Sequence, residues 1–344
     1  AIASAFLAAA SFSTAEIVVN DFLSFEGFVD MSYSHSDLDA GSPININESD
    51  NSYAIDQVEI SWLFNFDTVT AQIDLQHEGD SDSDSRSDDD TVEQAFVNLA
   101  LGNGGVITAG RYASMLGFEA YEPTGLYQYS TAYSLNGDDF SSASEYVQGV
   151  KYSQTTDTTF FGISLQDQAF GNDAGRLGGS GDDLFGDRDS SWAVEVAGSM
   201  DLGNGFTVFA GAAFEDADSG DNQLVNAYVT YETGAWLFAA EINVSESDDF
   251  GPDGDTADGV TGLVMANYAY SDVASVTARL SSIDYEVGDL ELEFLKYTVA
   301  HNQALADNLL LVTEISYEDG DFENGSDDVD IDNLVFAVEL LFSF

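Results

Sequence analysis

The sequence predicts an all-β protein: a transmembrane, antiparallel up-and-down β-barrel of about 16 strands. Hydrophobic residues alternate with polar ones along most of the chain, helical periodicity is almost absent, and short turns alternate with long acidic connections. Successive side chains of a strand face opposite sides of the sheet. Segments of about 10 residues with one apolar face are typical of barrels with lipid outside and water inside.

The composition limits the possible functions. The chain has 344 residues, with 63 acidic and 7 basic residues and a net charge of -56. Because 12% of the residues are aromatic and 44% are hydrophobic, the chain has enough apolar surface to fold despite its charge. The negative field disfavours nucleic acid as a partner. With no Cys, disulfides and thiolate metal sites are excluded.

The alternation is clearest near the C-terminus and in the segment that begins at Trp236. From Leu334 to Phe344 every even position is large and apolar, whereas the odd positions include Ala, Glu and Ser. Trp236 and Phe238 likewise alternate with positions that include Glu241. A dry core would not accept such acidic residues without partners. We therefore expect the mixed face to line a water-filled lumen.

We expect strands near residues 22–34, 52–66, 68–78, 92–102, 105–112, 145–154, 157–168, 191–202, 205–215, 223–232, 235–245, 259–270, 273–285, 289–301, 308–318 and 331–344. Long acidic connections are expected at 35–51, 79–91, 113–144, 169–190, 246–258 and 319–330, with 216–222 intermediate. Tight turns such as Asn103-Gly104 and Gly203-Asn204 lie between them, because Gly and Asn accept the positive φ of hairpins. Long extracellular loops and short periplasmic turns are typical of outer-membrane barrels.

The first residues allow two interpretations. Ala1–Phe12 is mainly apolar, and Ser13-Thr14-Ala15 resembles a cleavage site with small residues. Residues 1–15 are therefore either the remnant of an export signal peptide or an N-terminal segment that packs in the fold. Residues 16–344 are expected to form a single barrel domain. No stretch of about 18 apolar residues occurs, so a spanning helix is not expected.

Several short motifs resemble Gram-negative outer-membrane porins, of the 16-stranded general type and of the β-barrel porin group. They are the alternating end Phe336 to Phe344, the segment Leu23 to Asp30, and the stretch Thr108 to Tyr112 followed by Leu116 to Glu119. The resemblance implies a homotrimer in the outer membrane, in contact with lipid and lipopolysaccharide. It also implies that the barrel-assembly machinery reads Phe342 and Phe344, and that the third long loop folds into the lumen.

That third loop, residues 113–144, is the longest connection and is rich in Tyr. Long loops in a compact fold are usually functional or disordered. We expect this one to enter the lumen and to form a pore constriction, with acidic groups from Glu119, Glu122, Asp138 and Asp139. The alternative is an external loop that packs on its neighbours or on a trimer partner.

The few basic residues provide a second set of candidates for the constriction. A charge at mid-depth on the lipid face would cost about 2–4 kcal/mol, so Arg111, Lys151 and Arg279 are expected to face the lumen opposite the acidic loop. The alternative is that each one only pairs with an acidic residue of the wall. Lys296 breaks the alternation set by Phe294, and a β-bulge there would turn it inward. The low basic content departs from porins that carry a ladder of Arg and Lys.

Acidic loops could also bind divalent cations. Asp80, Asp82 and Asp84 have the spacing of an EF-hand loop, but Ser85 and Thr91 stand where its Gly and its bidentate Glu belong. No firm metal site is therefore expected. The alternatives are simple solvation, which we favour, and weak binding of Ca²⁺ or Mg²⁺ by a set of acidic residues, namely Asp80, Asp82, Asp84, Asp88, Asp89 and Asp90.

Taken together, the patterns predict a porin for passive diffusion of small hydrophilic solutes and ions, with a preference for cations. An enzyme is not expected, because His35, His77 and His301 are far apart in sequence and no catalytic constellation is visible. No cofactor is expected. One alternative is a substrate-specific channel, for example for sugars. The other is a structural or adhesive surface barrel whose acidic loops bind divalent cations.

Overall fold

The computed structural model describes residues 16–78, 90–135, 138–140, 144–170, 192–217, 220–250, 255–325 and 327–344. Residues 1–15, for which two interpretations were given, lie outside this part. In the part described, no helix is long and apolar enough to cross a membrane. One short 3₁₀ helix spans Pro123–Gly125.

The strands are β1 (Ile17–Asn20), β2 (Leu23–Ala40), β3 (Ile46–Phe66), β4 (Val69–Glu78), β5 (Asp90–Gly102), β6 (Gly105–Ala113), β7 (Ser134–Leu135), β8 (Asp138–Asp139), β9 (Tyr146–Thr155), β10 (Thr159–Gln166), β11 (Trp192–Gly203), β12 (Phe206–Ala217), β13 (Gly220–Thr233), β14 (Trp236–Phe250), β15 (Asp255–Ser271), β16 (Ala274–Val287), β17 (Leu290–Ala306), β18 (Leu309–Asn324) and β19 (Asp327–Ser343).

Sixteen of these strands close into one barrel. Strands β2 to β6 and β9 to β19 pair antiparallel in chain order, with β6 next to β9, and β19 pairs with β2. At the seam, Gly27 and Phe344 exchange main-chain hydrogen bonds of 2.9 Å. Strand β1 pairs with β2 as well, with Ile17 opposite Phe25. Closure removes the unpaired sheet edges that lipid would not tolerate. The predicted 16-stranded barrel is confirmed.

The two faces of the strands differ as their alternation predicts. On β14, Trp236, Phe238 and Ile242 are exposed on the outer face, whereas Leu237 and Glu241 are buried on the inner face. The last strand behaves in the same way, with its even positions outside. The outer surface is therefore an apolar band that matches a lipid environment.

A charge placed in this band should be costly in a depth-dependent way. Val264 lies on the outer face of β15 and is 53% exposed. We expect Val264→Lys to destabilise the barrel by about 2–4 kcal/mol, and Leu305→Lys, near the short-turn end of β17, by about 0–1 kcal/mol. Equilibrium unfolding in lipid bilayers measures both. Equal costs for the two variants would contradict the assigned membrane position.

The long connections contain more strand than expected. Strand β2 continues to Ala40 and strand β3 begins at Ile46, so most of the predicted 35–51 loop is a paired hairpin. Strands β18 and β19 likewise fill most of 319–330. Above the membrane both faces of a hairpin meet water, so the main-chain ladder continues without the apolar alternation that marks a strand in the sequence.

Two β-bulges add acidic residues to the inner face. In β3, Asp30 pairs with Gln57 and Met31 with Ile55, which leaves Asp56 as the extra residue. In β5, a similar shift opposite Asp74 and Leu75 leaves Glu93 as the extra residue. A bulge lets two successive side chains face the same side of a sheet.

The bulge expected at Lys296 is absent. Strand β17 pairs regularly on both sides of this residue. Lys296 nevertheless faces inward and is buried, while Tyr297 and Val299 are exposed. The expected orientation is correct and the expected bulge is wrong, because Phe294 also faces inward, where it packs against the loop that enters the lumen.

Candidate functional site: the lumen loop

The lumen loop, defined as residues 113–144, packs against the inner wall of the barrel. Its apolar residues join three buried clusters with inward-facing wall residues. Tyr133 and Leu135 pack in the cluster of Leu237 and Ile283. Tyr127 and Ala132 belong to the same cluster. In the second cluster Leu116 packs with Ala193 and Phe209. In the third, Tyr129 packs against Phe28 and Leu341. The expectation that the third long loop folds into the lumen is confirmed.

Wall carboxylates hold the main chain at the start of the lumen loop. Glu195 on β11 accepts hydrogen bonds from the Met115 N–H at 2.7 Å and from the Ser114 hydroxyl at 2.7 Å. Glu241 on β14 accepts one from the Phe118 N–H at 2.7 Å and another from the Tyr133 hydroxyl at 2.9 Å. Carboxyl oxygens are strong acceptors for main-chain N–H groups.

A third wall carboxylate holds the middle of the lumen loop. Glu314 on β18 accepts hydrogen bonds from the N–H groups of Tyr129 and Ser130, at 2.9 and 3.1 Å, and from the Ser130 hydroxyl at 2.6 Å. Only 2% of this glutamate is exposed. Three separate strands therefore anchor one irregular segment, whose buried N–H groups need such acceptors.

Reasoning from the sequence missed this role of Glu195, Glu241 and Glu314. Acidic residues on the inner face were expected to meet lumen water, but these three are buried and bind the loop. Inward-facing acidic positions on several strands of a barrel with one long, inserted loop are a signal that could have identified them. The signal is weak, because the same pattern also fits an open acidic lumen.

Arg279 and Glu119, both predicted constriction residues, are in direct contact. The Arg279 Nη1 lies 2.6 Å from the Glu119 Oε1, and its side chain is fully buried. The guanidinium also donates to the Thr131 carbonyl at 3.0 Å. Glu119 in turn accepts hydrogen bonds from Gln128 at 2.6 Å and from the Ala132 N–H at 2.7 Å. This ion pair therefore joins the wall to two parts of the lumen loop.

The other basic residues of the inner wall have different partners. The Lys151 Nζ lies 4.3 Å from the centre of the Tyr112 ring. Arg111 is buried, and its Nε donates to the Glu93 carbonyl at 2.6 Å. Lys296 donates to the Ser134 carbonyl at 2.6 Å and lies 3.5 Å from a Glu318 oxygen.

The remaining acidic candidates of the lumen loop are Glu122, Asp138 and Asp139. Glu122 accepts hydrogen bonds from the Tyr146 hydroxyl at 2.5 Å and from the Gln57 amide at 3.2 Å. Asp138 and Asp139 form β8, which pairs with β7; the structure describes only their main chain. Their roles in a constriction stay predictions, as do those of the basic candidates.

Two tyrosines of the lumen loop are poor acids in this environment. Burial raises the pKa of Tyr127 to about 12 and that of Tyr129 to about 12. Removal from water disfavours the charged phenolate. Both hydroxyls are therefore neutral at physiological pH, and the Tyr129 hydroxyl lies within hydrogen-bond distance of the Ser32 hydroxyl, at 3.3 Å.

A cavity of about 510 Å³ opens at the short-turn end of the barrel, beneath the lumen loop; we call it the short-turn vestibule. The loop contributes Glu119 and Tyr127, and the wall contributes Asp201, Glu232 and the turn around Asp157. The residues that line it in the described part of the chain include four acidic residues and no Lys or Arg. Short turns face the periplasm in outer-membrane barrels.

Most of the suggested divalent-binding positions lie outside the described residues. Asp80, Asp82, Asp84, Asp88 and Asp89 lie outside the described residues, and only the main chain of Asp90 is described, at the start of β5. The predicted assembly signal lies at the end of the barrel, where the rings of Phe342 and Phe344 are 5.9 Å apart. Its recognition by the assembly machinery stays a prediction.

Comparisons with known structures agree on the fold. OmpT of Vibrio cholerae is 13% identical, with a TM-score of 0.63 and coverage of 96% of this chain and 100% of the other. The anion-selective porin of Comamonas acidovorans is 11% identical, with a TM-score of 0.61 and coverage of 94% and 99%. The channel DcaP of Acinetobacter baumannii is 12% identical, with a TM-score of 0.64 and coverage of 94% and 97%. OmpT has also been solved in a trimer form.

A search of curated protein sequences found no match. A family model does match residues 23–344, and its description is "Putative beta-barrel porin-2, OmpL-like". With the closed barrel, this match assigns the protein to the outer membrane of a Gram-negative bacterium. The chain belongs to the OmpL-like β-barrel porin-2 family.

Proposed function

We propose that the protein is a passive channel for small hydrophilic solutes and ions, and that it prefers cations. The observation that carries this proposal is the short-turn vestibule, whose acidic residues are Asp157, Asp201, Glu232 and Glu119, the last of them paired with Arg279. No Lys or Arg is among the described residues that line it. A cavity lined by one sign of charge concentrates the opposite ions and excludes ions of its own sign.

The inner wall is acidic in composition as well. Among the described residues, buried acidic side chains outnumber buried basic ones: Asp30, Glu59, Asp74, Glu93, Glu195, Glu215, Glu241, Glu314, Glu318 and Glu339 against Arg111, Arg279 and Lys296. The similar fold of an anion-selective porin does not oppose this proposal, because a fold alone does not determine selectivity.

The lumen loop is the proposed constriction. Its ion pair to Arg279 and its hydrogen bonds to Glu195, Glu241 and Glu314 keep it across the lumen. Passive diffusion needs no turnover, so we propose neither a catalytic residue nor a cofactor. We further propose a homotrimer in contact with outer-membrane lipid and lipopolysaccharide, inserted by the barrel-assembly machinery. Trimeric OmpT, of similar fold, supports the oligomeric state.

A second candidate is a channel selective for sugars. The short-turn vestibule also contains the aromatic side chains of Phe118, Tyr127, Phe160 and Tyr228. Aromatic faces with nearby polar groups are common in ligand pockets. Block of the ionic current by added sugars in planar bilayers would favour this candidate over a general channel.

Removal of charge from the vestibule should weaken the cation preference. A unit charge about 6 Å from an ion changes its energy by about 0.7 kcal/mol in water, and salt screens this effect over about 8 Å. We therefore expect the double variant Asp201→Asn with Glu232→Gln to lower the cation-to-anion permeability ratio about threefold to tenfold. Reversal potentials under a salt gradient measure this ratio.

The matched control is Asp272→Asn with Asp307→Asn. These two exposed residues lie in short turns on the same side of the membrane but are not among the lining residues of the vestibule. The control should leave the permeability ratio unchanged. An equal effect of both double variants, or no effect of the first, would refute the role assigned to the vestibule.

A further inference from the structure

Three carboxylates from neighbouring strands meet on the inner wall. Glu59 on β3, Asp74 on β4 and Glu93 on β5 each offer an oxygen, and these oxygens lie within 4.8 Å of one another. All three residues are buried, with exposures of 6%, 0% and 3%. We call them the carboxylate triad. Such proximity of acidic groups is unfavourable unless a proton or a cation is shared among them.

A β-bulge creates this arrangement. Glu93 is the extra residue of β5, opposite the Asp74–Leu75 step of β4, and therefore faces inward together with Gln94. Without the bulge, strict alternation would turn one of these two neighbours toward lipid. Bulges are frequent next to functional sites, where they redirect a side chain.

The oxygens of the triad divide into satisfied and unsatisfied ones. Both oxygens of Asp74 accept amide hydrogen bonds, from Gln72 and from Gln94. One oxygen of Glu59 accepts a hydrogen bond from the Ser61 hydroxyl at 2.8 Å. The Oε2 atoms of Glu59 and Glu93 are buried and accept no hydrogen bond from an N–H or O–H donor of the described residues. Two buried acceptors without a donor, placed beside a third carboxylate, form a set of oxygens that can bind a cation.

We propose that the carboxylate triad binds one divalent cation, with Ca²⁺ as the preferred ion. Ca²⁺ takes about 6–8 oxygen ligands in flexible geometries, whereas Mg²⁺ requires a nearly ideal octahedron. Ligands from three strands, two of them on long Glu side chains, fit the less demanding ion. The amides of Gln72 and Gln94 donate hydrogen bonds to Asp74. Such hydrogen bonds orient the ligands of metal sites. The triad is separate from the acidic loop positions considered from the sequence, and its cation does not depend on the proposed channel activity.

The test uses the full-length protein in detergent micelles, freed of metal with a chelator. Calorimetry with Ca²⁺, in enough salt to screen diffuse binding, should reveal one tight site per chain. Ca²⁺ should also raise the melting temperature, since a ligand of the folded state stabilises it. In Glu59→Gln with Glu93→Gln, the tight phase and the Ca²⁺-dependent shift should both disappear. Loss of a supporting group alone weakens metal sites about 10- to 100-fold.

The matched control is Glu48→Gln with Glu323→Gln, which removes the same charge from exposed positions on the long-loop side. It should keep the tight phase and the shift in melting temperature. In chelator, the triad variant should have a melting temperature no lower than that of the wild type, because its neutral amides remove the repulsion between carboxylates. If the triad had only a structural role, the variant would melt at a lower temperature than the wild type. If the double variant does not fold, Glu93→Gln alone serves.

Two results would overturn this proposal. One is a tight phase that persists in the triad variant. The other is weak Ca²⁺ binding that is the same in the wild type and both variants, which would mean that protons, rather than a cation, relieve the repulsion. Neither result depends on a current measurement, so a failure of the cation site is distinguishable from a failure of the proposed channel.

Discussion

Arg279→Met should destabilise the barrel by about 3–5 kcal/mol and release part of the lumen loop. The substitution removes the cation that lies 2.6 Å from Glu119, whose side chain is only 12% exposed. A buried carboxylate without its partner is costly, because desolvation is no longer offset. The Thr131 carbonyl also loses one of its two hydrogen bonds and keeps the one from Lys296. We therefore expect larger and noisier single-channel currents together with the loss of stability.

Equilibrium unfolding in urea and single-channel recording in planar bilayers measure the two effects. Arg279→Lys is the matched control, because it keeps the charge but lacks the planar fork of donors that reaches several acceptors. Its stability and current should lie between those of the wild type and Arg279→Met. If Arg279→Met had the same stability and the same current as the wild type, the ion pair would not hold the lumen loop.

Glu314→Ala should have an effect of similar size through a different interaction. The N–H groups of Tyr129 and Ser130 lose their acceptor on β18. Each buried donor left without a partner costs about 1–3 kcal/mol, so the expected loss of unfolding free energy is about 2–6 kcal/mol. The middle of the lumen loop should detach from the wall, and conductance should increase.

Glu314→Gln is the control for this prediction, since its amide keeps one oxygen that can accept from the same N–H groups. It should retain most of the stability. Glu323→Ala removes an exposed glutamate of the same strand and should change neither property. Equal stability of the Ala and Gln variants of Glu314 would argue against an anchoring role.

The sequence predicted the barrel well where lipid imposes a pattern. The outer face must be apolar, so alternation marks most membrane-spanning strands, including the last one, which ends at Ser343. The pattern fails beyond the membrane, where the hairpin between β2 and β3 meets water on both sides and carries Asp and Ser. The strand ends there depend on main-chain pairing, which leaves little trace in composition.

The candidate site was harder to predict than the fold. The entry of the lumen loop followed from its length and its tyrosines, and the contact between Arg279 and Glu119 joined two predicted residues. The anchoring roles of Glu195, Glu241 and Glu314 did not follow, because spatial proximity across a lumen has no fixed spacing in the chain. The triad depends on a one-residue bulge at Glu93, and alternation alone cannot reveal such a bulge.

Selectivity is the property on which the proposed function depends most. Barrels of similar fold include an anion-selective porin, so charge in the lumen, rather than architecture, must decide which ions pass. Here the described lining of the short-turn vestibule is acidic without Lys or Arg. The preference for cations should therefore weaken as salt increases, because screening shortens the reach of these carboxylates.

The most direct test is the reversal potential of the purified wild-type protein in planar bilayers under a KCl gradient. We expect stepwise conductance and a potential of the sign produced by a preference for K⁺ over Cl⁻. Stepwise conductance with no potential, or with the sign of an anion preference, would contradict the role of the acidic vestibule. No conductance at all would contradict the channel itself.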